Sequence, residues 1–433
     1  MKVERFSRKL IKPVTPTPQN LKNFNLSILD KCLPPIKFGV VLFYESKPGN
    51  KSELEESLKE VLVDFYPLAG RHTINDPVVD CSDQGAVFVE AEALDTELTM
   101  DQLVLNKMEI QKVDQFLPDE CIQADAPNPL LWIQVTHFPS GGLAIGVAVS
   151  HSVFDSFSLG VFIAAWSKAT MNPGRMIEIT PSFDVPSLLP CKDHDFEIAL
   201  NEITDQGESF VVKRLVFGKE AITRLRSKLS LNQDGKTISR VRVVGAVLVK
   251  ALIGLECGKH GRRKDLVISL PVNMRERTNT PLQNPKHACG NLAVISLTRC
   301  VAAAEAEEMG LQELVNLLGD AIGKAIADHA EMLSPNQEGC DIIINDFKNF
   351  LTLFGTPNTN IITLTDWSKF GFYEADFGFG KPVWTSSGQQ SLSVTTIVLM
   401  NNKEGDGIEA WLHLNKNDML FFEQDEEIKL FTT

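Results

Sequence analysis

Two short segments of this chain hold residues whose types and spacing could do chemistry. The first is HSVFD, His151 to Asp155. It follows an almost wholly apolar run, Leu143 to Ser150, so the histidine falls where a buried strand gives way to a loop. Loops at strand ends present side chains while the sheet holds them rigid. Imidazole titrates near neutral pH and can take a proton from a hydroxyl. Asp155 can hold that loop in shape. The second segment is DFGFGKP, Asp376 to Pro382. Gly378 and Gly380 flank Phe379 and imply backbone conformations or close approaches that a side chain would block. Each pattern alone is weak. A His-x-x-x-Asp spacing recurs by chance, and a glycine pair also fits a plain tight turn. The kinase meaning of DFG fails, because no HRD loop or glycine-rich nucleotide loop precedes it.

The elements that must position these segments can be read from periodicity. Phe38 to Tyr44, Leu130 to Phe138 and Leu143 to Ser150 read as strands, the last two joined by the turn Pro139 to Gly142. Ser52 with Glu55 is a capping-box pattern, and Leu54, Leu58, Leu62 and Phe65 then share one helical face until Pro67 stops the helix. Phe157 to Trp166 reads as helix. In the second half, strands are expected at Ser209–Phe217, Leu266–Leu270, Ser391–Met400 and Ile408–Leu414, and helices at Val241–Leu255 and Val301–Leu333. Strands and helices in both halves indicate an α/β class. The stretch 172–210, punctuated by Pro173, Pro181, Pro186 and Pro190 and then polar, reads as a crossover. It separates an N-terminal domain, 1–171, carrying the histidine from a C-terminal domain, 211–433, carrying the DFGFG loop. No fixed-period repeat is visible.

The chain's 433 residues suit about two or three domains. A net charge of -14 disfavours nucleic acid and anionic membranes as partners. No apolar run is long enough to span a bilayer, and the N-terminus lacks a secretory core, so a cytoplasmic monomer is expected. The 8 cysteines form no CxxC pair, and the histidines form no metal-ligand pattern, so no metal is expected. The basic cluster from Lys259 to Lys264 reads as a solvated turn.

Taken together, HSVFD in mid-chain and DFGFG near the C-terminus resemble the HxxxD and DFGWG signatures of the plant BAHD acyltransferases. LSILD (Leu26 to Asp30), FYPLAGR (Phe65 to Arg71), VVDCSDQG (Val78 to Gly85), PVNMRER (Pro271 to Arg277) and CGN (Cys289 to Asn291) match family segments in the same order. The pattern is most similar to the family's alkaloid O-acetyltransferases. The resemblance implies two chloramphenicol-acetyltransferase-like domains with a solvent channel between them. It implies direct acyl transfer from acyl-CoA to a small-molecule alcohol, with His151 as general base and no permanently bound cofactor. It gives Asp155 a structural ion pair with Arg275, and it makes Asp376, with Gly378 and Gly380, shape its loop from a distance. Coenzyme A is expected near Ser239, Lys250, Gly290 and Asn291.

The sequence departs from the family at Phe379, where DFGWG has tryptophan, so no indole N–H is on offer there. NDMLFFEQDEE (Asn417 to Glu427) holds no cation for a malonyl carboxylate if it lines the channel as in relatives. Acetyl-CoA as donor and an alkaloid as acceptor are therefore the expectation. A malonyl- or hydroxycinnamoyl-CoA transferase, a peptide-synthetase condensation domain and a non-catalytic ligand-binding homologue are the alternatives. Condensation domains use HHxxxDG, whereas Ser150 precedes His151 and Ser156 follows Asp155 here.

Overall fold

The computed structural model describes residues 2–33, 36–46, 52–73, 77–94, 110–118, 128–175, 178–190, 210–231, 235, 237–260, 265–279, 282–300, 309–334, 338–354, 356, 359–388 and 394–432, the side chains of 110–112, 257–260, 299–300 and 338 aside. The chain divides into two compact units. The first comprises Met1–Ile198, Leu282–Leu292 and Phe370–Ser391; the second comprises Ala199–Pro281, Ala293–Lys369 and Leu392–Thr433. The expected division at 171 and 211 is thus crossed twice. Cys289–Asn291 and the DFGFG loop both lie in the first unit, because the segments bearing them pack there and not with their sequence neighbours.

A six-stranded sheet organises the first unit. Its strands are β1 (Val3–Ile11), β3 (Lys37–Tyr44), β6 (Ala86–Ala93), β7 (Leu131–His137), β8 (Leu143–Ser150) and β13 (Trp384–Ser387), in the order β1-β6-β7-β8-β3-β13. Only β6 and β7 run parallel. All residues of β8 are buried, as its unbroken apolar run requires. Strand β13 comes from the C-terminal excursion and pairs antiparallel with β3, Trp384 opposite Phe43. A small sheet of β2 (Asn23–Asn25), β4 (Arg71–His72) and β5 (Val78–Asp80) completes the set.

Three helices matter here: α1 (Ile28–Lys31), α2 (Glu53–Asp64) and α3 (Ser156–Met171). The apolar face of α2 buries Leu54, Leu58 and Leu62, each at about 1.5–3 kcal/mol relative to exposure. Helices α2 and α3 meet through polar contacts as well. Ser57 Oγ lies 2.8 Å from Thr170 Oγ1, and Trp166 Nε1 donates to the Leu54 carbonyl at 3.2 Å. The capping box expected at Ser52 does not form. Ser52 is itself helical (φ -74°, ψ -14°), and its side chain does not cap α2. A complete capping box stands instead at the start of α1, between Ser27 and Asp30.

The second unit has its own six-stranded sheet. It is built from β9 (Phe210–Phe217), β10 (Asp265–Asn273), β11 (Ala293–Cys300), β12 (Thr359–Asp366), β14 (Thr395–Asn401) and β15 (Ile408–Asn415), in the order β11-β10-β12-β14-β15-β9. Its helices are α5 (Lys219–Ser227), α6 (Arg240–His260), α7 (Leu311–Asp328), α8 (Glu338–Phe354), α9 (Lys416–Phe422) and α10 (Glu426–Phe431), while the short α4 (Val185–Leu188) belongs to the first unit. Val244, Leu248 and Leu252 of α6 pack on Ile268, Ile362, Ile397 and Leu412 of the sheet to form this core. Met419, Phe422, Ile428 and Phe431 join it. The segment Asn417–Glu427 therefore commits its buried apolar residues to the second unit's core. No described helix is long and apolar enough to cross a membrane.

Candidate active site

His151 follows the last residue of β8. The β3–β8 ladder ends at Lys37 opposite Ser150, and the His151 N–H extends it by donating to the Ile36 carbonyl at 2.8 Å. The His151 carbonyl accepts from Asn291 Nδ2 at 2.8 Å. Both backbone groups of the residue are therefore held. Its ring packs against Phe38, centroids 4.6 Å apart, and its Nδ1 is buried with no hydrogen-bond partner. The residue retains partial exposure. Burial pushes the imidazole below its ordinary value, against the pull of its own carbonyl, Asp155 and Asn291. The ring is thus neutral at pH 7, with a lone pair available to a proton.

Asp155 begins α3 as its N-cap. Its Oδ1 accepts from the Ser158 N–H at 2.9 Å and the Ser158 hydroxyl at 2.8 Å, and its Oδ2 accepts from the Leu292 N–H at 3.1 Å. Ser158 Oγ also lies 2.8 Å from the Gly290 carbonyl and accepts from the Gly290 N–H at 3.1 Å. Gly290 takes φ +120°, a conformation that L side chains rarely adopt. The CGN segment is thereby fastened to the start of α3. Its other side is fastened to Asp30, whose Oδ1 accepts from Asn291 Nδ2 at 2.7 Å and Asn291 N at 3.2 Å. Asp30 Oδ2 accepts from Ser27 N and Oγ at 2.8 and 2.7 Å. Burial pushes this carboxyl up to about 6, despite the lowering effect of those four donors. His151, Asp155, Gly290 and Asn291 are thus brought together, with Asp30 and Ser158 as members that the sequence reading did not assign. Asp155 ahead of an apolar helical run was a legible N-cap signal for that second role.

The DFGFG loop is built by its own aspartate. Asp376 Oδ1 accepts from the Gly378 N–H at 2.8 Å and the Gly380 N–H at 3.0 Å. Gly378 and Gly380 have φ of +94° and +105°, as their spacing implied. The loop docks through Phe377, edge-on to Trp166 at 4.8 Å, and through Tyr44, whose hydroxyl donates to the Ala375 carbonyl at 2.8 Å. Phe379, in the family's tryptophan position, packs edge-on to Tyr44 at 5.0 Å. Beside His151, a hydroxyl chain runs from Ser150 through Ser152 to His72 Nε2, with contacts of 2.8 and 2.6 Å.

Three expected site residues belong to the second unit. Arg275 is buried, and its backbone N and Nη1 donate to Asn273 Oδ1 at 3.1 and 3.2 Å. Ser239 precedes α6, and its Oγ accepts from the Arg242 N–H at 3.3 Å. Lys250 is ion-paired with Glu427 at 2.8 Å. The basic cluster lies outside the described residues and side chains.

A neutral imidazole at the end of a rigid strand, with its backbone pinned on both sides, suits proton transfer from a hydroxyl. Comparison with known proteins identifies the family. A family model described as the transferase family matches residues 1–429. A pelargonidin 3-O-(6-caffeoylglucoside) 5-O-(6-O-malonylglucoside) 4'''-malonyltransferase of Salvia splendens is 47% identical, covering 100% of both chains. Vinorine synthase of Rauvolfia serpentina is 34% identical over 96% of this chain and 95% of its own. The crystal structure of vinorine synthase superposes with a TM-score of 0.79, at 31% identity, covering 100% of this chain and 98% of that one. The mixed α/β fold of two sheet-rich units is therefore that of a known enzyme family, and this chain belongs to it: it is a BAHD-family acyltransferase, an acyl-CoA-dependent O-acyltransferase.

Proposed function

We propose that this enzyme transfers a malonyl group from malonyl-CoA to a sugar hydroxyl of a glycosylated phenolic pigment, with His151 as general base. The carrying observation is the end-to-end identity of 47% with a malonyltransferase whose name specifies an acylated anthocyanidin glucoside. In this reading His151 takes the acceptor's hydroxyl proton as the oxygen attacks the thioester carbonyl carbon. The tetrahedral oxyanion collapses, the C–S bond breaks, and His151 returns the proton to the CoA sulfur. Positioning of both substrates supplies the larger part of the acceleration, and the proton transfer adds about 10²–10⁴-fold.

Structural roles for Asp155 and Asp376 are supported by their bonds within the fold: both oxygens of Asp155 accept from backbone or hydroxyl donors, and Asp376 Oδ1 accepts from two backbone N–H groups. Among the residues expected at coenzyme A, Lys250 and Asn291 have protein partners, which favours structural roles for both.

Acetyl transfer to an alkaloid is the second reading, favoured by the likeness to vinorine synthase. Malonyl-, acetyl- and caffeoyl-CoA, each offered with an anthocyanin glucoside and with a hydroxylated indole alkaloid, separate the two by mass spectrometry of the products. A malonyl ester on the glucoside is expected. Acetylated alkaloid with no malonylated glucoside would establish the second reading in its place.

A further inference from the structure

Strand β13 carries two hydroxyls that the fold leaves unused. Thr385 and Ser387 are only 1% and 5% exposed, and neither Thr385 Oγ1 nor Ser387 Oγ has a hydrogen-bond partner among the described residues. The strand itself is firmly held. Beyond the two ends of its ladder with β3, the Val383 and Gly388 N–H groups donate to the Phe43 and Gly39 carbonyls, each at 2.8 Å. The Thr385 N–H donates to the Tyr373 hydroxyl at 3.3 Å, and the Ser386 hydroxyl donates to the Ser387 carbonyl at 3.0 Å. Ser386 thus finds a partner inside the strand, and the hydroxyls on either side of it do not. A buried hydroxyl without a partner destabilises the fold, so two of them on one short strand need a reason.

Register places these hydroxyls relative to His151. Side chains alternate along a strand, and Trp384 stacks on Phe43, its partner across the ladder. Thr385 and Ser387 therefore point to the opposite face, beside their partners Leu42 and Val40. Phe38 lies two positions before Val40 and shares that face. Ser387 and Phe38 are thus diagonal neighbours, a relation that sets residues about 7–8 Å apart. The Phe38 ring in turn packs on His151, centroids 4.6 Å apart. One sheet face therefore runs from His151 over Phe38 to Ser387 and then to Thr385. Val40 and Leu42 on the same face are apolar and fully buried, so a hydrogen bond made by either hydroxyl is shielded from water and correspondingly strong.

We propose that Ser387 and Thr385 are specificity-determining residues whose hydroxyls donate to the far carboxylate of the donor's malonyl group. This rests on the malonyltransferase reading and names the side chains that select the acyl group. Each free hydroxyl offers one O–H, and a carboxylate accepts on both of its oxygens. Residues two apart on a strand stand about 6.5–7 Å from one another. A single carboxylate bridges that gap with one bond of about 2.7 Å at each oxygen. Charge on the acceptor strengthens both bonds. An acetyl group has no polar atom past its thioester carbonyl and leaves both hydroxyls unpaired, whereas a malonyl group ends one methylene further on in a carboxylate. Discrimination of that kind is large, because the wrong substrate strands buried polar groups.

The test is steady-state kinetics of the full-length enzyme with malonyl-CoA and acetyl-CoA against one anthocyanin glucoside, alongside thermal melts without substrate. Ser387→Ala is expected to lower the ratio of kcat/KM for malonyl-CoA to that for acetyl-CoA about 10–100-fold, and Thr385→Val about 3–10-fold. KM for the glucoside is expected to change less than about threefold in both. Each hydroxyl is unpaired in the free enzyme, so neither substitution is expected to lower Tm, whereas loss of a hydroxyl that served the fold would lower it. Ser386→Ala, whose hydroxyl is spent within the strand, leaves the ratio as it is. A ratio unchanged in both variants, a loss shared equally by the two donors, or a lowered Tm overturns the proposal. If wild type malonylates the glucoside while the ratio stays unchanged in the variants, the malonyltransferase reading stands and only the assignment of these two residues falls. Wild type that makes no malonyl ester removes both.

Discussion

Each unit contains a hairpin that feeds a helix, and the two junctions differ. In the first unit, β7 and β8 pair antiparallel, β8 lies against β3, and residues 151–155 intervene before α3 starts at Ser156. In the second, β14 and β15 pair antiparallel, β15 lies against β9, and α9 starts at Lys416, directly after Asn415 ends the strand. Both helices are capped from the residue before them. Asp155 accepts from the Ser158 N–H, and Asn415 accepts from the Asn417 N–H. The sheet and the helix thus need only a cap between them. The turn at 151–155 is an addition that lifts a histidine off the strand while hydrogen bonds still pin its backbone. The second unit has a buried histidine near the same place, His413, but within β15, where it is sealed and its Nε2 has no partner. The same ring is partly exposed at one junction and buried at the other.

Exchanging the roles of the two histidines would break this comparison most directly. His151→Ala is expected to lower kcat by about 10²–10⁴-fold, while His413→Leu keeps turnover at pH 7. Steady-state assays of CoA release decide it. Next come the two caps. Asp155→Ala removes the N-cap and strands the buried Leu292 N–H, at about 2–5 kcal/mol, whereas Asn415→Ala forfeits about 1 kcal/mol. Urea unfolding of both variants compares them. If the two losses were equal, the first junction would hold nothing beyond its helix.

The pH dependence sharpens the contrast further. Burial lowers His413 to about 4, so the unfolded chain binds the extra proton first as pH falls. Its contribution is intact above about 6.5 and is lost as pH drops towards 4, by up to about 3 kcal/mol. His413→Leu should flatten that acid loss in thermal melts. His151 is also shifted down, so the acid limb of kcat/KM should have its midpoint below about 6.5.

The smallest effect belongs to His329, which goes the other way. Burial lowers it, but its 2.7 Å contact with Asp346 and the Ala325 carbonyl prevail and raise it. Stability from this pair is therefore present below about 6.5 and fades as pH rises through the folded value. It amounts to at most about 1 kcal/mol, because Asp346 is partly exposed. Asp346→Asn should remove that dependence from the melting curve.

Local chemistry was legible in the chain itself. An apolar run of branched and small residues makes β8 a buried strand wherever it is placed, so His151 had to stand at its end. Gly378 and Gly380 announce positive φ because only glycine adopts it without strain, and the apolar spacing of α2 names its buried face. The family signature is likewise a property of sequence. Tertiary structure alone decided which distant segments meet. Asn291 reaches Asp30 across 261 positions and His151 across 140, and no periodicity encodes such a pairing. It also decided that 282–292 and 370–391 fold into the first unit, and that Met419 and Phe422 serve a core. The physical reason is that hydrophobic pattern and propensity act over a few residues. Hydrogen bonds between remote loops form only once burial has removed their water and left each donor a single acceptor to find.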